Sequence, residues 1–197
     1  SNMMREFVIY PYFFKNYFIH TSDFEVSYLD NSIQMLQPHA EPWKIKVIDT
    51  GENVMTGGRL KRIGQYLNPD EAFCLTYGDG VADVNIQSLI AFHKSHKKKA
   101  TLTAVKPKAR FGALDCNGDT VVSFSEKHQS DVGEINGGFF VLDPSVIDLI
   151  NGDDTVWEDY PLTKLAEQEE LKAYRHNGFW QPMDTLRDKK YLENLWM

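Results

Sequence analysis

The chain has 197 residues, 42% of them hydrophobic and 25% charged, with two cysteines and a formal net charge of -7. This size corresponds to about one domain that folds without disulfides, and the composition excludes a disordered or fibrous protein. The acidic balance argues against sequence-independent nucleic-acid binding, and no run approaches the roughly 18 apolar residues of a membrane helix.

Strand-like and helix-like segments alternate along the first half of the chain. Residues 72–77 are a continuous apolar run, typical of a strand covered on both faces, and residues 84–97 are strongly amphipathic. The predicted strands of this half are 7–9, 44–49, 72–77 and 100–105. The predicted helices lie within 10–18, from 58 to 67 and from 84 to 97. This alternation predicts a mostly parallel sheet.

The pattern changes after Phe111. Asn117-Gly118 lies inside a segment, residues 114–122, that is typical of a β-hairpin. A strand is predicted at Gly138–Leu142. Short helices are predicted at 144–150, 161–170 and 187–196. The expected fold is α/β with an inserted antiparallel portion.

Asp79 is a candidate ligand for a metal-bound nucleotide. It follows the predicted strand 72–77, between Gly78 and Gly80, which allow a ligand to approach the backbone closely. Ligands of open α/β sheets bind at the carboxyl ends of strands. Mg2+ takes one or two protein carboxylates and completes its shell with water and phosphate oxygens. A tight turn held by an Asx-type hydrogen bond is the alternative.

Asp184 is the second candidate carboxylate. It follows the aromatic segment Gly178–Met183 and precedes a predicted helix. The residue could equally be the N-cap of that helix, since aspartate is favoured at this position.

Three further segments carry groups suited to a phosphate, a sugar or a nucleobase. Glu126-Lys127 supplies a carboxylate and a point charge, and Asn136-Gly137-Gly138 combines an amide with close backbone access. Thr56-Gly57-Gly58-Arg59 begins a predicted helix, whose N–H groups favour anions or polar base edges. Each segment also has an explanation without a ligand. Glu126-Lys127 can be an exposed ion pair, Gly137-Gly138 a turn, and residues 56–59 a glycine-rich helix start that binds nothing.

Longer segments add specificity to these short motifs. They are 41–43, 49–51, 55–62, 77–83, 110–114, 135–140, 152–158 and 178–188. Together they closely resemble the glucose-1-phosphate cytidylyltransferases, from about residue 16 onward. The resemblance implies a Rossmann-like, GT-A-like α/β fold with a mixed, mostly parallel sheet flanked by helices and a small antiparallel sugar-binding portion.

The resemblance also implies an activity and a set of roles. The reaction is transfer of CMP from CTP to glucose 1-phosphate, giving CDP-glucose and pyrophosphate. Asp79 and Asp184 would hold Mg2+, and Lys127 would contact the sugar phosphate. Thr56, Gly57, Gly58 and Arg59 would lie by the cytidine. The hexose would be surrounded by Phe111, Gly112, Glu126, Asn136, Gly137, Gly138 and Trp180.

The chain departs from the family pattern at its start. The family's first strand, its G-G-x-G-T-R loop and a following Lys-Pro are missing. We therefore expect one N-terminally truncated nucleotidyltransferase-like domain over 1–197, with 1–3 a cloning remnant and turnover severely reduced. Unpaired strand edges favour association, so a cytoplasmic homo-oligomer is expected.

Two other functions stay open at this point. One is a non-catalytic remnant that binds a sugar phosphate or nucleotide, or acts as an interaction subunit. The other is a nucleotidyltransferase for another sugar 1-phosphate, which keeps the chemistry and changes the substrates.

Overall fold

The computed structural model describes residues 15–37, 44–107, 113–117, 120–125 and 133–196. Two compact units divide the chain, residues 1–49 and 50–197, and the expectation of a single domain stays a prediction.

The first unit contains a short helix and a two-stranded hairpin. Helix α1 spans Tyr17–Thr21, and strands β1 (Asp23–Ser27) and β2 (Ser32–Gln37) pair antiparallel. The carboxylate of Asp30 accepts hydrogen bonds from the backbone N–H and hydroxyl of Ser32 in the connecting turn. The predicted strand 7–9 and most of the predicted helix within 10–18 lie outside the described residues.

The strand predicted at 44–49 is wrong. These residues form no regular structure, and Ile45 and Val47 are 47% and 55% exposed. Their alternation mimics a half-buried strand, but no ladder forms with any other strand in the described parts of the chain. Alternation alone cannot supply the interstrand hydrogen bonds that define a strand.

The second unit is built on strands and helices that largely match the sequence expectations. Its helices are α2 (Thr56–Ile63), α3 (Ile86–His96), α4 (Tyr160–Glu167) and α5 (Leu186–Trp196), with 3-10 turns at Gly64–Tyr66 and Pro144–Leu149. Its strands are β3 (Phe73–Thr76), β4 (Gly80–Ala82), β5 (Ala100–Val105), β6 (Ala113–Asn117), β7 (Thr120–Ser125), β8 (Ile135–Leu142), β9 (Leu171–His176) and β10 (Trp180–Pro182).

The central sheet has four strands in the order β3-β8-β5-β9. Strand β8 is antiparallel to both β3 and β5, whereas β9 is parallel to β5. Strands β3, β5 and β9 run in one direction and β8 runs against them, which confirms a mixed sheet. Because β8 lies between β3 and β5, two of the three ladders are antiparallel, so the sheet is not mostly parallel in its pairings. The predicted hairpin is also confirmed, since β6 and β7 pair antiparallel.

Two expectations about individual strands are wrong. The sequence predicts no strand at the position of β9. Strand β3, predicted to be covered on both faces, has one exposed face, because Cys74 and Thr76 are exposed. Within the described sheet β3 is an edge strand, with β8 on one side only. An edge strand has fewer neighbours to bury it than a central strand with the same apolar sequence.

The hydrophobic core lies on one face of the sheet. Leu60 of α2 and Leu165 of α4 pack with the strand residues Phe140 and Leu142 and with Trp157, which is 1% exposed. Helix α3 covers the other face, where His93 bonds to Thr101. Side chains alternate between faces along a strand, so β5 sends Ala100 to the core and Thr101 to α3.

Candidate functional site

A cleft of about 370 Å3 lies at one end of the central sheet. Strands β3, β5 and β9 end at this edge, and the antiparallel β8 begins there. The cleft is lined by Tyr77, Asp79, Gly80, Pro107, Ile135, Asn136, Gly137, Gly138, Trp180, Gln181, Pro182 and Asp184. It is the place where open α/β sheets bind ligands.

A short antiparallel ribbon brings the two candidate carboxylates into this cleft. Strands β4 and β10 pair with Gly80 opposite Pro182, and the N–H of Met183 donates a 2.7 Å hydrogen bond to the carbonyl of Asp79. This hydrogen bond holds the backbone of Asp79 against the residue before Asp184, and both aspartates line the cleft, although 105 positions separate them in the chain.

The hydrogen bonds around these two residues bear on the N-cap and Asx-turn alternatives. Thr185, not Asp184, caps α5: its hydroxyl accepts a hydrogen bond from the N–H of Asp188, and the Asp188 carboxylate accepts from the N–H and hydroxyl of Thr185. This reciprocal arrangement is a capping box. The Asp79 carboxylate makes no hydrogen bond in the described chain, so it closes no Asx turn there.

The donor set suits a hard divalent cation that keeps most of its shell for other ligands. No cluster of three or more His, Cys, Asp or Glu side chains that could hold a metal occurs in the described residues. A pair of carboxylates, Asp79 and Asp184, is nevertheless what Mg2+ needs when phosphate oxygens and water fill the remaining positions.

Asn136, Gly137 and Gly138 line the cleft together with Trp180. The indole Nε1 of Trp180 donates to the carbonyl of Gly137 at 2.8 Å, and the Asn136 Oδ1 accepts from the N–H of Gly138 at 2.9 Å. Gly138 has φ +79, and a Cβ there would lie 2.8 Å from the ring of Tyr77. Only glycine satisfies both conditions without strain.

The start of α2 is packed against the loop that precedes α4. The N–H groups of Gly57 and Gly58 both donate to the carbonyl of Thr155, at 2.9 and 3.2 Å. A Cβ on either glycine would lie 2.6 Å from backbone atoms of that loop. These two N–H groups, expected to favour an anion or a base edge, are thus bonded to the chain itself.

Thr56 and Arg59 flank a second cavity, of about 200 Å3. It is lined by Thr56, Arg59, Leu60, Ile63, Leu75, Tyr77 and Trp157. The guanidinium of Arg59 donates to the hydroxyl of Thr50 at 2.7 Å and to the carbonyl of Glu52 at 3.1 Å. Tyr77 lines this cavity as well as the first cleft.

Sequence reasoning missed a hydrogen-bonded pair between the two cavities. The hydroxyl of Tyr77 donates to Oε1 of Glu158, and the hydroxyl of Thr56 donates to Oε2 of the same carboxylate at 2.7 Å. Burial raises the pKa of Tyr77 well above its usual value, and the neighbouring Glu158 carboxylate raises it further. The phenol is therefore a proton donor to Glu158 at any physiological pH.

Some predicted site residues lie outside the described residues. They are Phe111, Gly112, Glu126 and Lys127, so their proximity to the cleft stays a prediction. In the parts of the chain that are described, no helix is long and apolar enough to cross a membrane.

Comparison with known proteins defines the class to which this fold and cleft belong. Residues 44–184 match the model of the nucleotidyl transferase family, and the chain belongs to that family. The crystal structure of HddC from Yersinia pseudotuberculosis has the same fold, with a TM-score of 0.55 over 74% of this chain and 64% of that one, at 24% identity.

Closer relatives confirm the resemblance seen in the sequence. The glucose-1-phosphate cytidylyltransferase of Salmonella typhimurium is 58% identical over 184 residues, which is 93% of this chain and 72% of the relative. The enzyme of the same name from Salmonella typhi is similar to the same extent.

Proposed function

We propose that this protein transfers CMP from CTP to glucose 1-phosphate, giving CDP-glucose and pyrophosphate. The observation that carries the proposal is the meeting of Asp79 and Asp184 in one cleft with Asn136, Gly138 and Trp180. Relatives at 58% identity are named for this activity.

The cleft offers complementary groups for the two substrates. Asp79 and Asp184 line the cleft, and so do Asn136, Gly137 and Gly138. Amide and backbone groups suit sugar hydroxyls, whereas carboxylates repel phosphates unless a cation intervenes. The hexose therefore belongs beside Asn136 and the phosphates beside the aspartates.

The reaction is an in-line displacement. A phosphate oxygen of glucose 1-phosphate forms a bond to the α-phosphorus of CTP, the bond from that phosphorus to the bridging oxygen breaks, and pyrophosphate leaves with the electron pair. In phosphoryl-type transfers the protein mostly positions groups and stabilises charge. Trp180 and Asn136 would orient the sugar phosphate, and Lys127 would contact its phosphate.

Mg2+ is the cation that we assign to the two aspartates. When bound, it would neutralise phosphate charge and hold the reacting groups together. Asp79 and Asp184 would supply two of its ligands, and substrate phosphates and water the others.

A coupled assay for pyrophosphate tests the proposal. With CTP, glucose 1-phosphate and Mg2+, we expect release above the background of an Asp79→Asn variant, dependent on all three components and lower with UTP, GTP or dTTP. Asp148→Asn, an exposed aspartate on the 3-10 turn, is the matched control. Release that ignores the nucleotide base or the sugar, or none above background, would contradict the proposal.

A homo-oligomer in the cytoplasm, where CTP is available, completes the proposal. The hairpin supports association, because Phe24, Val26 and Ile33 on one of its faces are 38–54% exposed, and exposed apolar patches mark interaction surfaces. Light scattering after gel filtration should give a mass that is a multiple of 22.7 kDa. A monomer at micromolar concentration would exclude this part.

A further inference from the structure

Tyr77 lies between two of the cavities in the second unit. It follows β3, two residues before Asp79, and its ring lines both the cleft of about 370 Å3 and the cavity of about 200 Å3. The ring is held by an edge-on contact with Phe140, at 5.6 Å between centroids, and by the close approach of Gly138. Its hydroxyl is thus fixed by packing and not only by hydrogen bonds.

Glu158 accepts hydrogen bonds from both sides. One carboxylate oxygen accepts from the Tyr77 hydroxyl and the other from the Thr56 hydroxyl. The N–H of Trp157 donates to the Thr56 oxygen at 2.9 Å, so Thr56 uses its single proton on Glu158. Both hydroxyls therefore donate to the same carboxyl group, one to each oxygen.

A continuous chain of hydrogen bonds runs from Thr56 through Glu158 and Tyr77 to Asn136, on the sugar side of the cleft. Asn136 donates from Nδ2 to the Tyr77 oxygen over a long contact of 3.4 Å, while its Oδ1 accepts from the N–H of Gly138. This fixes which end of the amide faces which partner. Among the described residues only Tyr77 accepts from Asn136 Nδ2, so the second Nδ2 proton can meet a ligand, and its direction depends in part on Tyr77.

From this chain we infer that Tyr77 and Glu158 are positioning residues that couple the nucleotide side of the site, at Thr56, to the sugar side, at Asn136. The inference rests on the proposed function, with the hexose beside Asn136 and with the cytidine beside Thr56, as the family resemblance implies. Neither Tyr77 nor Glu158 needs to touch a substrate. Their effect passes through the orientation of Thr56 and Asn136.

If the two sides are coupled, each single substitution should change the binding of both ligands. Removing the Tyr77 hydroxyl takes one hydrogen bond from Glu158 and one from Asn136, while Asn136 keeps its bond from the Gly138 N–H. A change on the sugar side therefore reaches Thr56 through Glu158. Removing the Thr56 hydroxyl releases Glu158, so a change on the nucleotide side reaches Asn136. Two independent binding sites would behave otherwise, since each substitution would then affect only the ligand nearest to it.

Calorimetric titration of the full chain with CTP and, separately, with glucose 1-phosphate, both in Mg2+, tests the coupling. Tyr77→Phe keeps the ring, Thr56→Val keeps the volume, and Glu158→Gln removes the charge. Since a single, partly exposed hydrogen bond contributes little free energy, we expect each variant to raise the dissociation constants of both ligands by about threefold to tenfold. Thr56→Ser should bind as the wild type does.

Matched controls come from exposed residues of α4. Tyr160→Phe and Thr163→Val make the same chemical changes away from both cavities and should leave both dissociation constants unchanged. Circular dichroism and thermal unfolding establish that each variant is folded. The double variant Tyr77→Phe with Thr56→Val should bind little worse than the weaker single variant, because both act on one carboxylate.

The outcomes separate this inference from the proposed function. If the wild type binds both ligands but each variant weakens only its own side, or the double variant shows the product of the single effects, the coupling is refuted and the proposed function stands. If the wild type binds neither CTP nor glucose 1-phosphate, the proposed function fails and the inference falls with it.

Discussion

The indole N–H of Trp180 donates a 2.8 Å hydrogen bond to the carbonyl of Gly137, and this bond joins β10 to the start of strand β8 at the cleft. It holds the indole beside the residues proposed to bind the hexose. The hydrogen bond between Met183 and Asp79 belongs to the same β4–β10 ribbon, so the proposed sugar and metal subsites share one framework.

Trp180→Phe should therefore weaken glucose 1-phosphate binding more than CTP binding. The phenyl ring keeps most of the apolar contact but cannot donate to Gly137, and loss of one such bond corresponds to about a twofold to tenfold increase in the dissociation constant. Titration with each ligand separately checks this. An equal loss for CTP would mean that Trp180 supports the whole cleft and not its sugar side.

Gly138→Ala should destabilise the fold as well as the site. The substitution forces a side chain into φ +79 and puts Cβ 2.8 Å from the Tyr77 ring, and positive φ alone costs about 1–3 kcal/mol in the free energy of unfolding. Urea denaturation measures the change. Gly133→Ala is the control, since a Cβ there meets nothing within 4 Å and should shift the free energy by less than about 0.5 kcal/mol.

The cap of α5 can be tested separately from the carboxylate beside it. Thr185→Ala removes the hydroxyl that accepts from the Asp188 N–H, and loss of an N-cap costs about 1 kcal/mol. Thr185→Ser keeps the hydroxyl and should be near wild type in urea denaturation. Equal stability of the alanine and serine variants would show that the capping box contributes nothing.

Acid should destabilise the protein through His93 and His96, two histidines of helix α3. His93 Nδ1 and His96 Nε2 lie 2.9 and 2.8 Å from the Thr101 hydroxyl oxygen. The pKa of His93 is lowered by burial and by His96, against a small opposing effect of Asp143. Burial also lowers the pKa of His96, with Lys172 and Lys98 adding to the effect and Glu170 opposing it.

The sign of the effect follows from these directions. Unfolding restores the ordinary pKa of about 6.5, so the unfolded chain binds more protons below that pH and stability falls as the pH falls. The free energy of unfolding should therefore decrease from pH 7 to pH 5. The slope should be shallower in His93→Gln than in the exposed control His20→Gln, and an identical slope would exclude this origin.

The comparison of sequence with structure shows which features a single sequence carries. The clear amphipathic periodicity of residues 84–97 predicts helix α3, whereas Lys172 and Arg175 make the sequence of β9 too polar to predict a strand. Strands β4 and β10 have three residues each, too few for any periodicity. Only the family resemblance predicted that Asp79 and Asp184 meet.

The bridge between Tyr77 and Glu158 had no local signal at all. The two residues are 81 positions apart, and nothing in the segments 77–83 and 152–158 indicates that they form a hydrogen bond. Hydrogen bonds between distant side chains depend on the packed backbone, so three-dimensional placement was needed to find this one. The same holds for the N–H groups of Gly57 and Gly58, which the sequence offered to a ligand and the fold gives to Thr155.

The most direct test of the account is binding of Mn2+, a spectroscopic substitute for Mg2+, followed by electron paramagnetic resonance in the presence of CTP. We predict one tight site per chain in the wild type and in Asp148→Asn. Asp79→Asn and Asp184→Asn should each weaken it by about tenfold or more, since each removes one of two protein ligands. Unchanged Mn2+ affinity in either aspartate variant would contradict the claim that these two carboxylates hold the cation together.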